Sequence, residues 1–410
     1  MSHTASPVRQ ERPSVTTRNL KRIIFFDHTA LMSGGEIALL NLINSLDKGQ
    51  YQPIVVLCSE GPFADNLRAN GIETHVLSLD EIVLHTRKNS IGVSSVLQLK
   101  KLASLLTYTG RLANLFRQLR ADLVHTNSLK ADIIGAVSGR LAHIPVIWHV
   151  RDRIADDYLP SSVAASFRWL STFLPTHVIT ISQAARQTLP ADKNHSDELG
   201  RFSVVHDGVS PDAFGVSDSR NWNSQDKVRI GIVGRISPWK GQHVFVKAAA
   251  LVRRQFPNAE FQIIGGALFN EHAYEAELHS LVDKEKLADT VHFLGFRSDV
   301  LEVMQGLDII VHASTIGEPF GQVIVEGMAA SKPVIATNGG AVPEIIQNGT
   351  TGILVNAENE QALADALVSL LNDPEHARAI GLAGRERARS NFSIEKTARN
   401  VERIYERFLS

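Results

Sequence analysis

Short apolar runs alternate with segments of helical period along almost the whole chain. Segment 22–27 predicts a buried strand, apolar positions over 36–46 recur at helical spacing, and 53–57 predicts the next strand. Further strands are expected at 74–79, 123–125, 146–148, 177–181 and 202–205. Runs rich in Val and Ile, unbroken by polar positions and separated by helices, indicate a parallel sheet covered on both faces. The polar stretch 210–226 interrupts this rhythm. It restarts with strands expected at 228–233, 261–264, 291–294, 308–311, 333–336 and 352–355, and a helix over 244–256. From Asn359 onward the pattern is consecutive helices dense in Arg and Glu. The expected fold class is therefore α/β, with two Rossmann-like, doubly wound parallel-sheet domains facing across a cleft. The boundaries read as a polar tail over 1–18, a first domain over 19–209, a linker over 210–226, a second domain over 227–390 and a last helix over 391–410. Ligands of open α/β sheets bind beyond the carboxyl ends of the strands, which points to the cleft.

Composition narrows the function. A chain of 410 residues exceeds one ordinary core, in keeping with two domains. The net charge of −1 provides no overall field to recruit nucleic acid. Cys58 is the single cysteine, which excludes a disulfide framework and a cysteine zinc site and suits a reducing, cytoplasmic setting. Segment 1–18 lacks the apolar core of a signal peptide and reads as a disordered tail. No apolar run is long enough to predict a membrane span. One local asymmetry stands out against the neutral total. Segment 86–121 carries Arg87, Lys88, Lys100, Lys101, Arg111, Arg117 and Arg120 and no acidic residue, with leucines at helical spacing. It is either a crossover helix with a solvated basic face or a peripheral contact with an anionic membrane surface.

The candidate chemistry lies at junctions between strands and helices. Gly234, Arg235, Lys240 and Gly241 follow one strand and precede a helix, where free backbone N–H groups and a positive dipole end favour anions. Arg235 offers a bidentate fork and Lys240 a point charge for phosphate oxygens; the alternative is two solvated surface cations. Glu318 falls in a turn beside Pro319, Phe320 and Gly321, and Glu326 lies on the following helix among apolar neighbours. A carboxylate there needs hydrogen-bond partners, which sugar or ribose hydroxyls supply. Gly339 and Gly340 mark another strand-to-helix turn, either lining the same pocket or only closing a crossover. Gly34 and Gly35 open the first helix, but neither the dinucleotide fingerprint nor a P-loop occurs, which disfavours dehydrogenases and P-loop kinases. His149, near Asp152, and His125, near Asn127, sit at predicted strand ends, as structural residues or as a wall reading acceptor hydroxyls. No D-x-D occurs, so no metal is expected, and Arg235 with Lys240 would neutralise a leaving diphosphate.

As a set, Gly34 and Gly35, the Gly234–Arg235 and Lys240–Gly241 pairs, Glu318 to Gly321, Glu326, Met328 and the run 332–336 resemble retaining glycosyltransferase family 4, of the two-Rossmann "B" fold. The resemblance implies that Arg235 and Lys240 bind the diphosphate of a UDP- or GDP-sugar, with Gly34 and Gly35 approaching from the other domain. It implies that Glu318 and the Phe320–Gly321 backbone touch the donor sugar, and that Glu326 binds ribose. It places His149 beside the sugar and sends the last helix back onto the first domain. Two departures are Asp207, where relatives commonly carry Asn, and Ser331, where they usually carry Gly. The expected activity is retaining, metal-independent transfer of a hexosyl group to a saccharide or lipid-linked acceptor, with no separate cofactor. The alternatives are a sugar-nucleotide epimerase and a non-catalytic donor-binding subunit of a polysaccharide-synthesis complex.

Overall fold

The computed structural model describes residues 20–79, 95–191, 200–215, 227–267 and 271–409, with the side chains of 95–102 left aside. The expected tail, most of the expected linker, Arg87 and Lys88, and the side chains of Lys100 and Lys101 lie outside the described residues.

Among the described residues, thirteen strands form two all-parallel sheets. The first holds β1 (Lys21–Asp27), β2 (Tyr51–Leu57), β3 (Glu73–Val76), β4 (Leu123–Thr126), β5 (Val146–Val150), β6 (His177–Thr180) and β7 (Phe202–Val204), in the order 3-2-1-4-5-6-7. The second holds β8 (Val228–Val233), β9 (Ala259–Ile264), β10 (Val291–Gly295), β11 (Ile309–His312), β12 (Val334–Thr337) and β13 (Ile353–Val355), in the order 10-9-8-11-12-13. Each order reverses once, between β1 and β4 and between β8 and β11, and a crevice opens at such a reversal. The strand interiors are wholly buried, as at Ile23–Phe26 and Ile309–Val311, which is why they read as continuous apolar runs.

Four helices matter for the site: α1 (Gly34–Ser45), α7 (Gln242–Val252), α10 (Gln322–Ala329) and α14 (Ile394–Leu409). The last of these belongs to the core of the first domain. Its Ile394, Ala398, Val401, Ile404 and Tyr405 recur at helical spacing and pack with Ile23, Phe25, Leu39, Leu42, Leu123 and Ile147. The chain therefore crosses back from the second sheet to the first. Gly208 marks that crossing, since a Cβ there would meet the Ile394 backbone at 2.5 Å.

Candidate active site

In the second domain, β8 runs into Gly234 and Arg235, and a single turn, Pro238–Lys240, leads through Gly241 into α7. Gly241 has φ +72°, and a Cβ would lie 1.9 Å from the Ala313 carbonyl oxygen, so only glycine lets this turn sit against the end of β11. The contact brings Lys240 to Glu318, 78 residues further on, with Nζ 2.6 Å from Oε1. Ser314 donates to the other carboxylate oxygen at 2.9 Å, and His312 Nε2 lies 3.4 Å from it. Burial works to raise the Glu318 carboxyl, but Lys240 and His312 overcome it and hold the group well below the usual carboxylate range. The Trp239 ring lies under both cations, 4.1 Å from Lys240 Nζ and 5.8 Å from the Arg235 guanidinium. Arg235 Nε is 3.4 Å from Glu271.

The glycine turn at 339–340 also acquires a role. Gly340 pairs with Glu318 in a backbone bridge, and Ala341 N–H donates to the Glu318 carbonyl at 2.9 Å. A Cβ on Gly340, which has φ +59°, would stand 2.1 Å from that carbonyl oxygen. The turn is thus the backbone support of Glu318. Phe320 buries its ring in the cluster where the domains join, near His206 and Phe392, and Gly321, at φ +115°, starts α10. Glu326 stands one turn into that helix, where Gln322 donates to it at 3.3 Å. Burial raises its carboxyl to about 7, against the smaller opposing pull of Gln322.

Across the cleft, Ser33 caps α1, and its N–H donates to Glu36 at 3.0 Å. A Cβ on Gly34 would meet nothing within 4 Å, so the glycine leaves open space at this helix start. The reversal between β1 and β4 gathers Asp27, Asn127 and Ser128: Asn127 Nδ2 donates to Asp27 at 2.7 Å and Ser128 Oγ at 2.8 Å. Arg151 then joins this group to the rest of the crevice. Its Nε donates to Asn127 Oδ1 at 2.6 Å, and its Nη1 lies 2.5 and 2.6 Å from the two Asp207 oxygens. The carboxylate at 207 therefore has a structural reason: it is the charge partner of a nearly buried arginine.

The structure puts three of the expected residues on this side below the surface. Asn127 is buried and spent on Asp27 and Arg151. His125 is wholly buried between Tyr405 and His149, so it supports the wall from beneath. His149 is also wholly buried at the end of β5. Asp152 remains partly exposed and accepts from Tyr158 at 2.8 Å.

Bonds between the domains flank Glu318 on both sides. Arg153 Nη1 donates to the Gly317 carbonyl at 3.1 Å, and Ser182 Oγ to the Pro319 carbonyl at 2.6 Å. Glu344 accepts from the backbone N–H groups of Gln183 and Ala184, each at 2.8 Å, and lies 3.0 Å from His206 Nε2. Of the residues that complete the site, Ser314, Arg153, Ser182 and Tyr405 carry no sequence motif. Only their partners across the fold reveal them.

Comparison with known proteins follows the same division. Residues 217–387 match the family model described as Glycosyl transferases group 1, and residues 32–213 match Glycosyltransferase Family 4. The chain is 32% identical over 179 residues to the lipopolysaccharide core biosynthesis mannosyltransferase LpsB of Rhizobium meliloti. That alignment covers 43% of this chain and 51% of the relative, so the chain spans about half of that protein's length. It is 25% identical over 364 residues to the capsular polysaccharide biosynthesis glycosyltransferase CapM of Staphylococcus aureus, covering 84% of this chain and 92% of the relative. It superposes on Anabaena Alr3699/HepE in complex with UDP and glucose with a TM-score of 0.78 at 25% identity, over 94% of this chain and 99% of the other. With both halves matching models of one enzyme class on a frame of two Rossmann-like domains, the chain belongs to the group 1 glycosyltransferases of family 4.

Proposed function

We propose that this glycosyltransferase moves a hexosyl group from a UDP- or GDP-sugar to an acceptor hydroxyl on a saccharide or lipid-linked saccharide, with retention at the anomeric carbon and without a metal. The Lys240–Glu318 pair at the β8/β11 crevice carries this reading. It sets a cation for the diphosphate directly beside a carboxylate for sugar hydroxyls, and HepE holds UDP and glucose on the same fold. Arg235 and Lys240 neutralise the charge that develops as the bond from anomeric carbon to phosphate oxygen breaks. The acceptor oxygen attacks from that same face and passes its proton to the departing phosphate oxygen. Glu318, already engaged by Lys240 and Ser314, orients the sugar and does not serve as nucleophile. His149 lies beside the sugar, and Glu326 takes the ribose hydroxyls.

Purified protein given a panel of UDP- and GDP-sugars with oligosaccharide or lipid-linked acceptors should release nucleotide only when acceptor is present. The product should keep the donor's anomeric configuration by NMR, and EDTA should leave the rate unchanged. Isomerised donor without acceptor would establish an epimerase instead. Donor binding without turnover on any acceptor would establish a binding subunit.

Peripheral contact with an anionic membrane is part of the same reading. Exposed Arg111, Arg117 and Arg120 follow one helix and its end, and Leu106 on that helix is 61% exposed. Elsewhere in the first domain, Trp169 is 65% exposed and meets Phe173 edge to face, with ring centroids 4.6 Å apart. Among the described residues, no helix is long and apolar enough to cross a membrane. The protein should sediment with phosphatidylglycerol vesicles, less so at high salt or as Trp169→Ser, and stay in solution with phosphatidylcholine. Equal behaviour with both lipids would remove the membrane from this account.

A further inference from the structure

A buried chain of three side chains links the returning helix to the cleft. Tyr405 Oη lies 2.7 Å from His125 Nδ1, and His125 Nε2 lies 3.0 Å from His149 Nδ1. All three residues are buried without solvent contact. The far nitrogen, His149 Nε2, is buried and has no hydrogen-bond partner among the described residues.

Counting protons orders this chain. Burial first, and then the positive charge of Arg151, depress both imidazoles, His125 to about 3 and His149 well below its ordinary value, so both are neutral near pH 7. Each ring then carries one N–H, and the phenol carries one O–H. In one ordering Tyr405 donates to His125 Nδ1, His125 Nε2–H donates to His149 Nδ1, and the remaining proton sits on His149 Nε2. In the reverse ordering both imidazole protons point toward Tyr405, whose own hydroxyl proton is then buried with no other acceptor among the described residues. An apolar site penalises that orphan donor heavily. The first ordering leaves one orphan too, but it lies at the carboxyl end of β5, where a ligand can meet it.

We infer that Tyr405 and His125 are positioning residues that lock His149 in the Nε2–H tautomer, making it a hydrogen-bond donor to an oxygen of the transferred sugar and not a base for the acceptor. The inference rests on His149 lying at the transfer site, as proposed above. It gives the crossing of α14 a chemical purpose beyond packing: the helix delivers the hydroxyl that sets the direction of the relay. It also requires the acceptor proton to leave by another route, which the departing phosphate oxygen supplies. The Nε2 atom is closed to solvent in this conformation, so the sugar has to open its approach on arrival.

Two measurements test the lock separately from the activity. Multiple-bond 1H–15N spectra of histidine-labelled protein, assigned with His125→Asn and His149→Asn, should show both rings as Nε2–H tautomers. Tyr405→Phe, which keeps the ring and removes only the hydroxyl, should release that preference into a mixture. A Nδ1–H signal for His149 in the unsubstituted protein overturns the lock whatever the enzyme does. For the role in transfer, His149→Gln places an amide N–H near the Nε2 position and His149→Asn does not. The glutamine variant should retain at least tenfold more kcat than the asparagine variant, and Tyr405→Phe should lower kcat with little change in KM. Equal rates for the two His149 variants, with the tautomer confirmed, would leave the lock standing and remove His149 from the transfer step.

Discussion

Lys240→Ala should lower turnover by about 10²- to 10³-fold, the range typical of losing one charge-stabilising group from a transition state. Lys240 is the cation closest to Glu318, and it reaches the β11 end only because Gly241 lets its turn pack there. Two effects are combined in that variant. The leaving diphosphate loses a positive charge, and Glu318 is left as a buried carboxylate without its main counterion. Pairing the substitution with Glu318→Gln separates them, since the amide removes the orphaned charge. If Lys240 acts on the leaving group, the double variant should recover thermal stability yet turn over well below Glu318→Gln alone. Rapid-quench measurement of kcat, alongside calorimetric Tm, decides the matter. Turnover in Lys240→Ala equal to that of the unsubstituted protein would end the assignment.

Donor affinity should rise about 50-fold from pH 5 to 7 and about twofold more before levelling off above, because Glu326 must be ionised to accept from ribose hydroxyls. Its carboxyl is raised to about 7 by burial, so below that value binding has to expel a proton. The sign for folding is opposite. A carboxyl raised in the folded state contributes stability fully below its unfolded value of 4.5, and that contribution is lost as pH rises through about 7. Across this window the ligand-free protein loses the contribution of Glu326 while donor binding strengthens. Titration calorimetry with an intact nucleotide sugar is the appropriate measurement, since its diphosphate bridge stays ionised throughout whereas a free nucleotide titrates nearby. Glu326→Gln should flatten the profile. Affinity independent of pH in the unsubstituted protein, or falling as pH rises, contradicts the ribose assignment.

Much of this site could be read locally. Arg235, Lys240, Glu318 and Glu326 stand out because each sits beside a glycine that ends a strand or opens a helix, and such junctions are marked in a few consecutive residues. The turn at Gly340 was legible as a turn but not as the support of Glu318, because its purpose is a bridge to a backbone carbonyl more than twenty residues earlier. His125 illustrates the opposite error. A histidine near a strand end looks like a cleft residue, yet His125 lies in register with Ile147, two positions below His149, and its ring finds Tyr405 in the core. Alternation along a strand specifies the face of a side chain but not how far below the rim it lies.

The sequence by itself determined the two parallel sheets, the strands that compose them and the glycine-marked half-sites, because periodicity and turn chemistry are imprinted on neighbouring residues. Only the tertiary structure decided that β4 lies against β1 and β11 against β8, and with them the meeting of Lys240 with Glu318 and of Arg151 with Asp207. Tyr405 and His125, 280 residues apart, are the extreme case. Strand order and the return of the last helix are settled by which faces can be buried together over the whole chain, and that global balance leaves no mark in any short stretch of it.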